Sequence, residues 1–157
     1  MEGNNGKGNN EGRDRWKSPR VLFNMLDRQY DFDFDCCAEQ DNTQCDDFSD
    51  EFETVDNDKL DQLNCWMNPP FSKAEEMFKH FFKAVSQGVA IYRCDNFETK
   101  LWQDVIFPHA SWILIPKRRV SYEGMKGKGS RFPSALIGYN IEEPKIVKGT
   151  LLFLNKE

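Results

Sequence analysis

Four consecutive residues, Asn68-Pro69-Pro70-Phe71, combine an amide, two rigid rings and an aromatic face. The proline rings hold φ at about −65° and remove two N–H donors, so the loop is stiff and rich in acceptors. The Asn68 side chain adds an acceptor oxygen, and Phe71 adds a surface for stacking. This combination suits the binding of a planar amino group. An ordinary turn or spacer is the alternative, because Asn-Pro and Pro-Pro also occur in both.

A strand before this loop and a helix after it would hold the amide and the aromatic ring in position. Residues 64–67 are predicted to form the strand, and Ser72 with Glu75 matches a capping box at the start of the helix. We expect the helix to end at Gly88. Its apolar residues recur with helical spacing and are predicted to be core rather than ligand contacts: Met77, Phe78, Phe81, Phe82 and Val85.

A second polar position follows another short strand. Phe32 and Phe34 alternate with aspartates, which predicts a strand that has Asp35 at its carboxyl end. Asp35 and Asn68 would then lie at the same edge of one sheet, with a ligand crevice between them. A further helix is predicted after Ser18, which would act as its N-cap with Pro19 at its first position.

The remaining pattern predicts an α/β fold. Residues 39–61 are acidic and weakly patterned, and we expect a loop or short helix with at most one edge strand. A helix is predicted at 98–106, and strands are predicted at 89–92, 112–115, 134–139 and 150–153. Alternating strands and helices indicate a doubly wound, mostly parallel sheet with helices on both faces, and an antiparallel edge at the C-terminal end.

Composition indicates one domain and excludes several classes of protein. The 157 residues are 39% apolar, with 13 Phe and 4 Trp, which suffices for a core over residues 14–157. Residues 1–13 are rich in Gly and Asn, and we expect a disordered tail. The absence of a long apolar run predicts no membrane span and a cytoplasmic protein. The five cysteines lack zinc or disulfide spacing, so no metal site is expected.

Charge is distributed unevenly along the chain. Residues 1–110 hold 12 Lys and Arg against 22 Asp and Glu, whereas residues 111–157 hold 9 against 4. Six basic residues lie among three glycines, which suits a loop along a nucleic-acid backbone: Lys117, Arg118, Arg119, Lys126, Lys128 and Arg131. A solvated hairpin is the equally weighted alternative.

The order of these motifs resembles the small phage-type, Dam-like DNA N6-adenine methyltransferases. The resemblance covers roughly residues 14–140 and is tightest in the first three segments. The segments that carry it are Trp16-Lys17-Ser18-Pro19, Phe32 to Ala38 with Asn42 and Cys45, Asn68 to Ser72, Asp95 to Trp102, and Arg118 to Tyr122.

The resemblance implies an enzyme that has a Rossmann-like fold and uses S-adenosyl-L-methionine as its cofactor. It implies methyl transfer from this cofactor to N6 of an adenine flipped out of double-stranded DNA, with Asn68, Pro69, Pro70 and Phe71 as catalytic residues. The implied cofactor-binding residues are Trp16, Ser18, Pro19, Phe32, Asp35, Cys37, Ala38 and Asp58. Asp58 is named for the ribose, with Asp61 as its alternative.

The sequence departs from the wider methyltransferase pattern at one place, and two other functions stay open. Ala38 is followed by Glu39-Gln40-Asp41 instead of a Gly-rich turn. A protein glutamine methyltransferase would use a similar Asn-Pro-Pro-Tyr clamp, but Phe71 and the missing glycines disfavour it. A degenerate module that binds nucleic acid or a partner without catalysis is the other alternative, motivated by the same glycine-poor segment.

Overall fold

The protein is represented by a computed structural model that describes residues 19–121 and 132–154. The predicted tail and five of the predicted site residues lie outside these ranges: Trp16, Ser18, Lys126, Lys128 and Arg131. In the described part, one six-stranded sheet carries helices on both faces. No helix in these ranges is long and apolar enough to span a membrane.

The elements follow one another in an α/β order. The helices are α1 (Arg20–Tyr30), α2 (Asn57–Leu60), α3 (Ala74–Ala84) and α4 (Phe107–His109), the last continuing from a π-helical segment, Leu101–Ile106. Single 3-10 turns lie at Phe52–Thr54 and Phe71–Lys73. The strands are β1 (Phe34–Asp35), β2 (Asn64–Met67), β3 (Gln87–Arg93), β4 (Trp112–Pro116), β5 (Ser134–Tyr139) and β6 (Gly149–Phe153).

The sheet has the strand order β1-β2-β3-β5-β4-β6. The prediction of a mostly parallel sheet is wrong. Three of the five strand pairings are antiparallel, because β5 pairs with both β3 and β4 and β6 pairs with β4. The chain leaves β4 and re-enters the sheet from the same edge, which reverses β5. β4 nevertheless points the same way as β1, β2 and β3, so four carboxyl ends share one edge of the sheet.

The sheet separates two hydrophobic layers, as expected for helices on both faces. On one face, α3 contributes the predicted stripe, and Met77, Phe78 and Phe81 are all buried against Cys65 and Met67 of β2. On the other face, α1 packs Phe23, Leu26 and Tyr30 near Trp66 and Trp112. Burying a large apolar side chain contributes about 1.5–3 kcal/mol, so these layers fix β2 from both sides.

The bounds of α3 differ from the prediction at both ends. The helix begins at Ala74 with Lys73 as N-cap and no cap hydrogen bond from that side chain, because a 3-10 turn occupies Phe71–Lys73. It ends at Ala84, and Gly88 lies inside β3 instead. A Cβ at Gly88 would lie 2.5 Å from the Cys65 carbonyl oxygen, so the glycine permits close strand pairing rather than ending a helix.

The acidic segment between β1 and β2 has the weak structure that the sequence predicts. A single bridge pairs Asp35 with Phe48, and the short helix α2 follows the 3-10 turn. Backbone hydrogen bonds from Asp35 N to Asp47 O and from Ser49 N to Asp35 O hold this segment beside β1. All five cysteines are free thiols.

Candidate active site

The carboxyl edge of the sheet collects polar and aromatic residues from five strands. Asp35 ends β1, Asn68 follows β2, Arg93 ends β3 and Lys117 follows β4. Phe132 precedes β5, which starts at this same edge because it runs antiparallel. In open α/β sheets this edge is where ligands bind.

The Asn68–Phe71 loop begins where the β2–β3 ladder ends. Met67 is the last paired residue of β2, opposite Ala90. Pro69 is buried and Asn68 is half-buried. Pro70 is extended, with φ −62° and ψ 137°, and its carbonyl accepts a 3.1 Å hydrogen bond from Lys73 N. The loop is therefore anchored at both ends, by the sheet and by the 3-10 turn.

The Phe71 ring belongs to an aromatic cluster at this edge. Its centroid lies 5.6 Å from that of Tyr92 and 5.5 Å from that of Phe132, and both pairs are edge-to-face. The Arg93 guanidinium carbon lies 5.8 Å from the Phe71 centroid and 4.6 Å from the Phe132 centroid. Asp95 accepts from Arg93 Nε at 2.8 Å and Nη2 at 2.5 Å, and these bonds lower the pKa of Asp95.

Asp35 is a buried carboxyl group with incomplete hydrogen bonding. It is 2% exposed, and Oδ2 accepts from Gln44 N at 2.9 Å. Oδ1 is buried with no hydrogen-bond partner among the described residues. Burial raises the pKa of Asp35 from 3.8 to about 7, against the opposing effect of the Gln44 and Cys37 backbone N–H groups. The carboxyl group therefore releases its proton near neutral pH rather than near pH 4.

A second incompletely bonded group lies beside Asp35. Trp66 is its partner in the β1–β2 register, and the indole Nε1 is also buried with no partner among the described residues. Nearly all buried polar atoms in proteins have a hydrogen-bond partner. Here an acceptor and a donor in neighbouring positions both lack a partner among the described residues. A polar ligand or an ordered water could supply the missing hydrogen bonds.

A groove of about 240 Å³ runs from the segment after Asp35 to Pro70, which is the one residue of the Asn68–Phe71 loop in its lining; Asp35 itself does not line it. One wall comes from residues 37–39 after β1, and the opposite wall comes from residues after β2. The lining is completed by the segment between β1 and α2 and by α3; in full it is Cys37, Ala38, Glu39, Asn42, Asp50, Phe52, Glu53, Pro70, Ser72, Lys73 and Met77. Three carboxylates against one lysine make the lining acidic.

The structure brings some of the predicted site residues together and separates others. Cys37, Ala38 and Pro70 line the groove. Phe32 is buried on the α1 face, 5.6 Å from Trp66 between ring centroids. Asp58 is exposed in the first turn of α2 and is not part of the groove lining.

The other predicted residues lie around this site or at the far side of the same edge. Pro19 immediately precedes α1 and is half-buried. Lys117, Arg118 and Arg119 are exposed after β4, at the carboxyl edge but four strands along the sheet from β1.

Sequence reasoning missed the pairing of Arg93 with Asp95 and the position of Phe132 beside Phe71. An arginine and an aspartate two residues apart, at the end of a predicted strand, were the only local signal. Phe132 could not be assigned to the cluster without the antiparallel β3–β5 pairing, which sets Arg93 opposite Ser134.

Comparison with known proteins identifies a family for this chain. The chain matches none of the curated proteins with which it was compared. The model of one protein family, DNA N-6-adenine-methyltransferase (Dam), matches residues 5–120, which is more than half of the chain. The matched region includes Asp35, both walls of the groove and the Asn68–Phe71 loop. The chain therefore belongs to the Dam family of DNA N-6-adenine-methyltransferases.

Proposed function

We propose that this protein transfers a methyl group from S-adenosyl-L-methionine to N6 of an adenine rotated out of double-stranded DNA. Membership of the Dam family supports this reaction. The observation that carries the proposal is the groove that runs from the segment after Asp35 to Pro70 of the Asn68–Phe71 loop, at the carboxyl edge of the sheet.

The acidic groove suits the charge of the cofactor. When bound, S-adenosyl-L-methionine supplies a methyl group on a positively charged sulfur, which a nitrogen nucleophile can take in a single displacement. Glu39, Asp50 and Glu53 would attract the positive sulfonium group over the short distances of the groove. At about 240 Å³ the groove is smaller than typical pockets of about 300–1,000 Å³, so it would hold one part of the cofactor.

The buried Asp35 carboxyl group would serve the methionine end of the cofactor. Its unsatisfied Oδ1 can accept a hydrogen bond from an ammonium group, and a positive charge there would favour the ionised carboxylate. Pro19 and Phe32 would pack beside this end, and Cys37 and Ala38 would contact the cofactor along the groove. Asp58 stays a prediction for the ribose, although it does not line the groove.

The Asn68–Phe71 loop would hold the adenine. The Asn68 amide oxygen and the Pro69 carbonyl would accept hydrogen bonds from the N6 amino group, which draws its lone pair out of the ring and toward the methyl donor. The methyl–sulfur bond would break as the methyl–N6 bond forms, leaving a neutral thioether, and the extra N6 proton would then pass to solvent. Positioning and electrostatics of this kind therefore need no dedicated base. Because N6 is buried in duplex DNA, the base must rotate out before it can reach Phe71. Stacking on an aromatic ring contributes about 1–3 kcal/mol per base.

The basic residues after β4 would contact the DNA backbone. β4 lies three strands from β2. The pKa of Asp95 is lowered by its hydrogen bonds from Arg93 and also by the charge of Arg119, which is therefore close to that carboxyl group. The cations Lys117, Arg118 and Arg119 would bind phosphates that flank the extruded adenine.

Methylation assays with an Asn68→Ala variant test the proposal. Purified protein is incubated with labelled S-adenosyl-L-methionine and either adenine-containing duplex DNA or a glutamine-bearing protein substrate. We expect label in N6-methyladenine, and a rate about 10²–10³-fold lower for Asn68→Ala because the hydrogen bonds to the reacting group are removed. Asn24→Ala, at an exposed position of α1, is the matched control and should retain full activity.

Each alternative gives a different result in this assay. Label in protein glutamine would identify a protein methyltransferase, and DNA binding without any label would identify a non-catalytic module. Thermal unfolding should give the same midpoint for Asn68→Ala and wild type. A large drop in this midpoint would show that Asn68 is chiefly a structural turn residue.

A further inference from the structure

The two prolines fix the backbone of the Asn68–Phe71 loop, but the orientation of the Phe71 ring depends on its neighbours. A phenylalanine has two side-chain torsions, and an adjacent proline restricts neither to one value. The groups that contact the ring include Tyr92 and Phe132, each in an edge-to-face pair with it, and the guanidinium of Arg93. Whatever holds Arg93 in place therefore also restrains the stacking surface.

Arg93 is held in one orientation by two hydrogen bonds to the Asp95 carboxylate. Its Nε and Nη2 atoms donate to the two carboxylate oxygens at 2.8 and 2.5 Å, which fixes the planar guanidinium as a unit. The same guanidinium lies closest to the Phe132 ring, at 4.6 Å, and reaches Phe71 at 5.8 Å. Attraction between a cation and an aromatic face therefore joins both rings to one fixed group.

The charge of Arg93 is partly offset by its partner. Arg93 and Asp95 form an ion pair with side chains 27% and 29% exposed, so the carboxylate offsets part of the charge that Arg93 could offer to a DNA phosphate. The exposed Lys117 and Arg118 after β4 are better placed for a contact of that kind. The geometry of Arg93 therefore suits the orientation of aromatic rings better than the binding of a nucleic-acid backbone.

We propose that Arg93, fastened by Asp95, is a positioning residue that sets the orientation of Phe71 for stacking of the extruded adenine. The inference rests on the proposed methyl transfer to DNA. It assigns Arg93 no contact with the reacting atoms, and it predicts that the residue acts on the reaction through the Phe71 ring.

The test compares Arg93→Met with Arg93→Lys and Lys59→Met. Methionine keeps the length of the side chain but removes its charge and donors, while lysine keeps a cation near the rings. Lys59 is the matched control, because its Nζ lies 5.8 Å from the Phe34 centroid and 3.4 Å from Asp47, the same two kinds of contact away from the loop. We expect kcat to fall at least about tenfold in Arg93→Met, to recover partly in Arg93→Lys and to stay unchanged in Lys59→Met.

Three further measurements separate positioning from other roles. DNA with 2-aminopurine at the target position should show less fluorescence from the extruded base with Arg93→Met than with wild type. The dependence of DNA affinity on salt should stay the same, whereas removal of a phosphate contact would reduce its slope by about one. In a Phe71→Leu background, Arg93→Met should have little further effect.

The inference is overturned if Arg93→Met keeps wild-type kcat, changes the salt slope, or adds its full effect to that of Phe71→Leu. Should Arg93→Met unfold, Asp95→Asn provides the same comparison, because it loosens the guanidinium without removing it. If wild type extrudes 2-aminopurine but transfers no methyl group to DNA that has adenine at the same position, the proposed function fails while the fluorescence comparison still decides the role of Arg93. If wild type gives neither signal, both proposals fail.

Discussion

Replacing Asp35 with asparagine tests the effect of the buried carboxyl group on stability. The pKa of Asp35 rises from 3.8 to about 7 because burial disfavours the charged form. Folding therefore favours the protonated group. Its stabilising contribution is complete below about pH 4 and is lost as the pH rises through about 7. At about 1.36 kcal/mol per pKa unit, the loss amounts to about 4 kcal/mol between these limits.

Asparagine removes the titration while keeping the volume of the side chain and an oxygen that can accept from Gln44 N. Urea denaturation of the cofactor-free protein should show the wild type losing about 4 kcal/mol of unfolding free energy, relative to Asp35→Asn, as the pH rises from about 4 to 8. Asp46→Asn removes the same charge at an exposed position and reports the effect of net charge alone. If the unfolding free energies of wild type and Asp35→Asn change in parallel with pH, within about 1 kcal/mol, Asp35 is already ionised in the folded protein and the assigned pKa is wrong.

Two further predictions concern the core and the basic segment. Gly138→Ala should destabilise the protein by about 1–3 kcal/mol in urea denaturation, because the new Cβ would overlap the buried Trp112 indole; a change below about 0.5 kcal/mol would show that the ring moves aside easily. Replacing Lys117, Arg118 and Arg119 together with glutamine should weaken DNA binding and lower its salt slope by about 0.9 for each phosphate that these residues neutralise, and an unchanged slope would place the DNA elsewhere.

The elements that the sequence predicted best are those with a clear local pattern. The strands at 64–67 and 134–139 have the predicted bounds, and all five residues of the apolar stripe around α3 are buried. Alternation and helical spacing are local consequences of burial on one face, so a single sequence is sufficient to detect them. The same local patterns placed Asn68 directly after a strand and Asp35 at the end of another.

The errors arise where distant segments decide the structure. The direction of β5 depends on its insertion between β3 and β4, which no period in residues 134–139 encodes. Glycine often follows the end of a helix, so the sequence predicts a helix stop at Gly88. Its lack of a side chain instead allows the Cys65 backbone to lie close to it across the β2–β3 pair. The contacts of Arg93 with Phe71 and Phe132 join three segments far apart in the chain, so only the folded sheet reveals them.

The position of β5 also bears on how much of the chain is needed for an independently folding unit. The family match ends at residue 120, before this strand begins. β5 nevertheless fills the centre of the sheet, pairing six residues with β3 on one side and three with β4 on the other. A protein truncated at residue 120 would keep every matched motif but leave buried backbone groups of two strands unpaired. We therefore expect the C-terminal segment to be needed for folding, so that a fragment ending at residue 120 would not form this sheet by itself.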